Sequence, residues 1–128
     1  MGKPANNNVQ RAKTKAFNTT INKEVLDSFK DCIGIYAYPI NIMLETFMKQ
    51  YLDGKFKLKR TDILKFEFDN GETSNLSTTI NAEIYFKFKD VCQDKGFYVK
   101  HVITAFMKEY VDNDYLLEYK KVKKDNIQ

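Results

Sequence analysis

The sequence is poor in the residues from which catalytic and metal sites are most often built. Among its 128 residues there are one histidine, two cysteines and no tryptophan. This set cannot supply the four ligands of a typical structural zinc site, and two cysteines cannot form a disulfide framework. No cysteine, serine or acid pair stands at a spacing that would support His101 in catalysis. We therefore expect a protein that is not an enzyme and that has no catalytic residues, metal site or cofactor.

Long apolar runs are also missing. No stretch approaches the roughly 18 residues that a membrane-spanning helix needs. The N-terminal sequence MGKPANNNVQRAKTK contains no apolar segment of the kind found in secretory signals. Hydrophobic residues make up 43% of the chain and charged residues 30%, which is typical of globular proteins. These features predict a cytoplasmic protein with no membrane partner.

The net charge of +4 is concentrated at the two ends of the chain. Residues 1–15 carry four basic side chains and no acid (+4), and residues 118–128 carry four lysines and two acids (+2). Subtraction, +4 − 4 − 2, leaves −2 for residues 16–117. Basic ends on a small domain either follow the phosphate backbone of a nucleic acid or serve as solubilising tails, and composition alone leaves both interpretations open.

The chain contains an internal duplication. Shifting the sequence by 59 positions aligns residues 17–58 with residues 76–117 without a gap, and 14 of the 42 aligned positions are identical. Chance would give roughly three identities, so the two segments are copies of one unit. A residue of the first copy and the residue 59 positions later are called corresponding residues below. Two copies suggest equivalent halves packed about a pseudo-twofold axis.

Each copy shows the pattern of one short strand followed by two helices. Apolar and polar residues alternate in residues 17–21 and 76–80, which predicts strands with one apolar face. Asn22 and Asn81 come next and are typical helix N-cap residues. The predicted apolar helix faces consist of Val25, Leu26, Phe29, Cys32 and Ile33, then Ile40, Met43, Leu44, Phe47, Met48, Tyr51 and Leu52, and in the second copy Ile84, Tyr85, Phe88, Val91 and Cys92, then Val99, Val102, Ile103, Phe106, Met107, Tyr110 and Val111.

Glycine and proline indicate where these helices end and begin. Gly34 and Gly96 are expected at the ends of the first helices, because glycine tolerates left-handed backbone angles. Pro39 is expected at the first position of the second helix of the first copy, where its missing N–H costs nothing.

Residues 59–73 join the two copies. Residues 63–68 are compatible with an extra strand or a short helix, and residues 69–71 with a turn. We expect Phe66 and Phe68 to cover the core, and an edge on which a partner docks is the alternative interpretation.

Each copy has the order strand, helix, helix within about 42 residues, and its alternating strand runs into an N-cap asparagine. This pattern resembles the ribbon-helix-helix fold of the MetJ/Arc/CopG DNA-binding proteins. The resemblance covers both copies, about two thirds of the chain. A unit of this size cannot bury a core alone. The resemblance therefore implies a mainly α fold with a short two-stranded antiparallel ribbon, in which two ribbon-helix-helix halves interlock about a pseudo-twofold axis as a single-chain pseudodimer.

This resemblance also divides the chain into parts. Residues 1–15 become a flexible basic N-terminal arm, and residues 16–58 the first ribbon-helix-helix repeat. Residues 59–73 are the connector, residues 74–118 the second repeat, and residues 119–128 a basic C-terminal tail.

Double-stranded DNA is the partner that the resemblance implies. In such proteins the ribbon enters the major groove, and its outward side chains read base edges. Backbone N–H groups at the start of the second helices hold phosphates, helped here by basic residues of the arm. Strand parity makes the base-reading candidates Ala16, Asn18, Thr20, Asn75, Ser77 and Thr79. The phosphate-binding candidates are Ile40, Asn41, Val99 and Lys100, together with Arg11, Lys13 and Lys15.

The base-reading candidates predict an asymmetric, A·T-rich target. None of the six is the arginine or lysine that usually contacts guanine, whereas Asn18 and Asn75 can pair with adenine. The methyl groups of the threonines and of Ala16 can pack on thymine. The two triplets share only their threonine, and we expect Asn18 and Asn75 to read positions on opposite sides of the centre of the site.

Two functions from different classes follow. The first is a sequence-specific transcriptional repressor or a plasmid or mobile-element accessory factor, nucleoid-associated when bound, with several units side by side on DNA. The alternative is a protein–protein adaptor, of the antitoxin or partition kind, built on the same fold. A basic stripe along the ribbon would favour DNA, whereas a large exposed apolar patch on a helix would favour a protein partner.

Overall fold

The fold is mainly helical, with one two-stranded antiparallel sheet. The computed structural model describes residues 13–113. Their elements are β1 (Thr14–Asn22), α1 (Lys23–Gly34), α2 (Ile40–Leu52), α3 (Arg60–Leu64), a 3-10 helix (Lys65–Phe68), β2 (Thr73–Asn81), α4 (Ala82–Asp94) and α5 (Val99–Asn113). The mainly α class with a short antiparallel ribbon is thereby confirmed. Arg11, the rest of the predicted arm up to residue 12, residues 114–118 of the second repeat and the C-terminal tail lie outside the described residues.

The two strands pair along their whole length. Thr14 lies opposite Asn81 at one end of the sheet, and Asn22 lies opposite Thr73 at the other. Each strand has nine residues, and both strands show the same alternation of burial. Both begin earlier than the alternation of apolar residues indicates, so that β1 includes Thr14 and Lys15 of the predicted arm and β2 includes Thr73 of the predicted connector.

The asparagines that end the strands cap the helices that follow. The Asn22 side-chain oxygen accepts a hydrogen bond from the Val25 backbone N–H at 3.0 Å. The Asn81 side chain does the same for Ile84 at 3.0 Å. Each cap satisfies a backbone donor that has no partner inside the helix, so the predicted N-caps are confirmed.

The first helix of each copy ends in the same turn, although the two turns use different residues. Gly96 has a φ of +81°, and the corresponding Ala37 has a φ of +56°. In both turns the next residue donates a backbone hydrogen bond across the helix end, from Tyr38 to Ile33 at 3.1 Å and from Phe97 to Cys92 at 2.9 Å. The prediction for Gly96 is confirmed. The predicted position of Gly34 at the helix end is confirmed, since Gly34 is the last residue of α1, but the left-handed angle falls on Ala37 instead.

Proline stands one position earlier than predicted. Pro39 is the N-cap of α2, with extended backbone angles (φ −70°, ψ 136°), and the helix begins at Ile40. The capping position needs a non-helical backbone, which the fixed φ of proline also allows.

The helices of one copy pack against elements of the other. Helix α1 contacts α5, and α2 contacts α4. Helix α2 also contacts β2, and α5 contacts β1. At the centre the rings of Phe47 and Phe106, which are corresponding residues, stack with their centroids 4.2 Å apart, and both are fully buried. Both helices of each copy therefore contact the other copy.

The connector is helical, which decides between the two interpretations of residues 63–68. Ile63 is buried, and Phe66 is partly buried against the core. Phe68 is 79% exposed, so the expectation that it covers the core is wrong. The predicted turn follows, with the Gly71 backbone N–H donating to the Asp69 carboxylate at 3.0 Å.

Candidate nucleic-acid interface

One face of the ribbon consists of small, uncharged side chains. All six predicted base-reading residues are exposed and lie on this face. Thr14 and Thr73 extend it by one position on each strand, and the sequence reasoning missed them because it started the strands too late. Their signal was the same period-two alternation, continued toward the N-terminus. The outer face is hereafter these eight exposed residues: Thr14, Ala16, Asn18, Thr20, Thr73, Asn75, Ser77 and Thr79.

Cross-strand pairs set the order of side chains along the outer face. Asn18 lies opposite Ser77, its corresponding residue, and both are the middle residues of their strands. On one side Ala16 lies opposite Thr79, and on the other side Thr20 lies opposite Asn75. The expectation that Asn18 and Asn75 flank the centre is therefore wrong. Asn18 occupies the centre of the ribbon, and Asn75 lies to one side of it.

No charged side chain belongs to the outer face, so the ribbon carries no basic stripe. Lys13, which is exposed, directly precedes β1, and its backbone carbonyl accepts a hydrogen bond from Ala82 at 2.9 Å. Lys15 lies on the opposite face of β1 and is half-buried. Lys13 and Lys15 therefore stand at the end and on the inner face of β1, not on the outer face.

A cleft of about 350 Å³ runs along β1. We call it the β1 cleft. It is lined by residues 15–19 of β1, by Tyr85 of α4 and by Tyr98, Val99 and Lys100 at the start of α5. The Lys15 ammonium lies 5.3 Å from the centre of the Tyr85 ring and 5.8 Å from that of Phe86. Three of the predicted phosphate-binding residues, Lys15, Val99 and Lys100, are thus brought together in one cleft.

The first hydrogen bonds to the carbonyl four residues earlier lie at corresponding positions of α2 and α5. The first helical hydrogen bond of α2 runs from Met43 to the Pro39 carbonyl at 3.1 Å. In α5 the Val102 N–H donates to the Tyr98 carbonyl at 3.2 Å. The N–H groups before these bonds, those of Ile40 and Asn41 and of Val99 and Lys100, have no acceptor within their own helices and carry the positive end of the helix dipole. Ile40 and Asn41 begin the helix that contacts β2, so they do not join the β1 cleft.

His101 lies beside a small cavity of about 80 Å³ between the connector, the ribbon end and α5. Partial burial lowers the pKa of His101, Lys100 acts in the same direction, and Glu67 opposes them. On the same cavity the Asn22 amide donates to the Asp69 carboxylate at 2.6 Å, and this bond with that from Gly71 lowers the pKa of Asp69. Within residues 13–113 no cluster of three or more histidine, cysteine or acidic side chains could hold a metal ion.

The two cysteines occupy packing positions. Cys92 is fully buried, and burial raises the pKa of its thiol to about 12, so that the thiol stays protonated at neutral pH. Cys32 is half-buried and packs against the core. Both therefore act as small apolar groups.

Comparisons with protein-family models, curated proteins and solved structures find no match to this chain. None of the helices described in residues 13–113 has the length and apolar character required to span a membrane.

Proposed function

We propose that the protein binds double-stranded DNA by placing the outer face of its ribbon in the major groove. The observation that carries this proposal is the outer face itself: two fully paired strands whose exposed side chains are small hydrogen-bonding or methyl-bearing groups. The major groove admits a two-stranded ribbon, and amide, hydroxyl and methyl groups are what read adenine and thymine there. In this proposal the protein is a repressor or a plasmid or mobile-element accessory factor.

The single-chain pseudodimer is part of the same proposal. A twofold axis between the Asn18 and Ser77 backbones would exchange each residue with its corresponding residue and preserve the strand pairing. The same operation would exchange the α1–α5 contact with the α2–α4 contact, and both contacts exist. The stack of Phe47 on Phe106 joins two corresponding residues, as such an axis requires. These features support two interlocked ribbon-helix-helix halves in one monomeric chain.

The order of cross-strand pairs leads to an asymmetric site in this proposal. Asn18 and Ser77 face the centre of the site, Thr20 and Asn75 face one half, and Ala16 and Thr79 the other. Asn75 selects adenine on its side, whereas Ala16 and Thr79 offer methyl contacts to thymine on theirs. An A·T-rich sequence without palindromic symmetry satisfies both halves.

Selection from a random duplex library, followed by affinity measurements on the enriched sequence, tests the proposal. Asn75→Ala should relax the base preference at one off-centre position, and Asn18→Ala at the central position, by ~1–3 kcal/mol each. Asn70→Ala is the matched control, because Asn70 is exposed in the turn before β2 and does not belong to the outer face. A library without enrichment, or unchanged preferences in both ribbon variants, contradicts the proposal.

An adaptor function is the second candidate, and one observation favours it. Ile35 is 77% exposed and Tyr36 is 49% exposed at the end of α1, where they form a small apolar surface. Under the DNA proposal, Ile35→Ser leaves duplex affinity unchanged, since this turn does not belong to the ribbon and the substitution changes no charge. If no duplex is enriched and the unmodified protein binds a protein partner that Ile35→Ser does not bind, the adaptor interpretation is the better one.

A further inference from the structure

The two edges of the ribbon carry different charges. On the β1 side, Lys15 and Lys100 line the β1 cleft. The corresponding residues on the β2 side are Ser74 and Asn41, which are uncharged. The residues that precede the strands differ in the same sense, since Lys13 corresponds to Glu72. Both of these residues offer a backbone carbonyl to the first residue of a helix, Lys13 to Ala82 at 2.9 Å and Glu72 to Lys23 at 2.8 Å, so equivalent backbone positions carry opposite side-chain charges.

The lysines of the β1 side are available to a ligand. The ion pairs in residues 13–113 are Lys23–Asp27, Lys87–Glu83 and Lys108–Asp112, so none of them involves Lys13, Lys15 or Lys100. Lys100 is exposed, and Lys15 is held over the rings of Tyr85 and Phe86. A basic side chain that is placed in advance loses less freedom when it binds an anion.

The aromatic residues on this side have no counterparts on the other side. Tyr85 and Phe86 correspond to Leu26, which is buried, and to Asp27, whose carboxylate is paired with Lys23 at 2.7 Å. Tyr98 is 65% exposed at the mouth of the β1 cleft and corresponds to Pro39. Each edge has a helix start, so the helix dipoles do not distinguish the two sides. The difference between the two edges comes from their side chains.

We infer that the basic side chains on the β1 side make most of the electrostatic contacts with the DNA backbone and that the β2 side contributes little. The protein then contacts the phosphates of one DNA strand more strongly than those of the other, and it binds its asymmetric site in a single orientation. This inference rests on the proposed function, because a ribbon in the major groove presents each of its edges to a different backbone. It adds a polarity of binding that base reading alone does not require.

The salt dependence of affinity for the selected duplex tests the inference. Lys100→Ala should lower the slope of log affinity against log salt by about 0.9, the value for one lost phosphate contact. Between 50 and 200 mM salt this corresponds to a loss of affinity about 3.5-fold smaller than that of the unmodified protein. Lys15→Met, which keeps the apolar stem against the aromatic rings, should lower the slope by a similar amount. Asn41→Ala and Ser74→Ala are the corresponding controls and should leave the slope unchanged, because neither removes a charge and the phosphate contact predicted for Asn41 uses its backbone N–H, which alanine keeps.

Duplexes with uncharged methylphosphonate linkages in one strand supply the second measurement. Neutral linkages in one of the two strands should weaken binding and lower its salt slope, and the same linkages in the other strand should do neither. Equal effects from both strands, or equal slopes for Lys100→Ala and Asn41→Ala, overturn the inference. The inference is also overturned if the Lys15 and Lys100 variants weaken binding to single-stranded DNA but leave the affinity for the duplex unchanged.

The failures of the inference and of the proposed function are distinguishable. If Asn75→Ala changes base preference while the lysine variants leave the salt slope unchanged, the one-sided grip is wrong and the ribbon still reads DNA. If the unmodified protein binds no duplex, the proposed function is wrong and the inference falls with it. Lys100 is exposed, so its variant tests the grip without disturbing the core.

Discussion

The two copies of the repeated unit are identical at the aromatic centre of the core and differ at the edges of the ribbon. Phe47 and Phe106 are identical and fully buried, as are Phe29 and Phe88. At the outer face, by contrast, Ala16 corresponds to Asn75 and Asn18 to Ser77. Phe47 and Phe106 stack on each other, so a change in either ring must fit the other copy. Exposed side chains carry no such restriction, and this difference lets one chain present two dissimilar half-surfaces on one scaffold.

Substitutions in the aromatic centre, where the two copies are identical, should have the largest effect on stability. Phe47→Ala and Phe106→Ala should each lower the free energy of unfolding by about 3–5 kcal/mol, because each substitution removes a buried ring and leaves a cavity. The two rings stack at 4.2 Å, so the double variant should cost less than the sum of the single variants. Urea unfolding followed by circular dichroism measures all three.

Phe68→Ala is the control for these variants. Phe68 is 79% exposed, so its loss should change the unfolding free energy by no more than about 0.5 kcal/mol. Two separate unfolding transitions in Phe47→Ala, with one copy still folded, would show that the copies do not share a core.

The N-caps provide the next comparison. Asn22→Ala and Asn81→Ala should each cost ~1 kcal/mol, the usual loss when a capping side chain is removed. Asn22→Ala should cost more, since Asn22 also donates to Asp69 at 2.6 Å, whereas no side-chain bond of this kind is present at Asn81 in the described residues. Unfolding free energies at neutral pH measure the difference.

Acid should remove that difference. The pKa of Asp69 lies below its ordinary value of 3.8 because the charged carboxylate accepts hydrogen bonds from Asn22 and Gly71. The stabilisation is therefore present above the ordinary pKa and is lost as the pH falls through the lowered one. In Asn22→Ala the Asp69 pKa, followed by NMR, should rise toward its ordinary value. An unchanged pKa would contradict this account of the contact.

In the turns that end α1 and α4, the residue with the left-handed angle can be replaced by the corresponding residue of the other copy. Gly96→Ala should destabilise the protein by about 1 kcal/mol, since it places a Cβ at a φ of +81°. Ala37→Gly should stabilise it by less than about 1 kcal/mol, because relief of strain is partly offset by the greater freedom of glycine in the unfolded chain. Thermal unfolding measures both changes.

Gly34→Ala is the matched control for the turn variants. Gly34 is helical and a Cβ there meets no atom within 4 Å, so alanine should raise stability by about 0.5–1 kcal/mol. Opposite signs for Gly96→Ala and Gly34→Ala are expected. Equal signs would show that the left-handed angle at Gly96 carries no cost for alanine.

The smallest expected effect concerns His101, which corresponds to Ile42. Partial burial and Lys100 lower the pKa of His101 from its ordinary value of 6.5. Its neutral form is therefore favoured by folding, so stability should be higher at about pH 8 than at about pH 5. His101→Ile, which copies the first repeat, should flatten this part of the pH dependence, and Lys100→Ala should raise the His101 pKa in an NMR titration. A dependence that persists in His101→Ile would assign it to other groups.

Sequence reasoning succeeded where a few neighbouring residues decide the outcome. Alternation in residues 76–80 correctly separated buried Leu76 and Ile80 from exposed Ser77 and Thr79. The capping role of Asn81 depends on a donor three residues away. Phe68 was misassigned because its exposure depends on how the connector turns across α5, which no local pattern encodes.

By itself, then, the sequence determined the duplication, the two strands, their faces and the capped helices, because periodicity and capping act within one or two helical turns or along one strand. Only the tertiary structure decided which residue of β1 lies opposite which residue of β2. That register depends on packing between segments 59 positions apart, and it places Asn18 at the centre of the ribbon. The convergence of Lys15 and Lys100 on one cleft has the same origin, since α5 reaches β1 only after the chain has passed through the connector and the second strand.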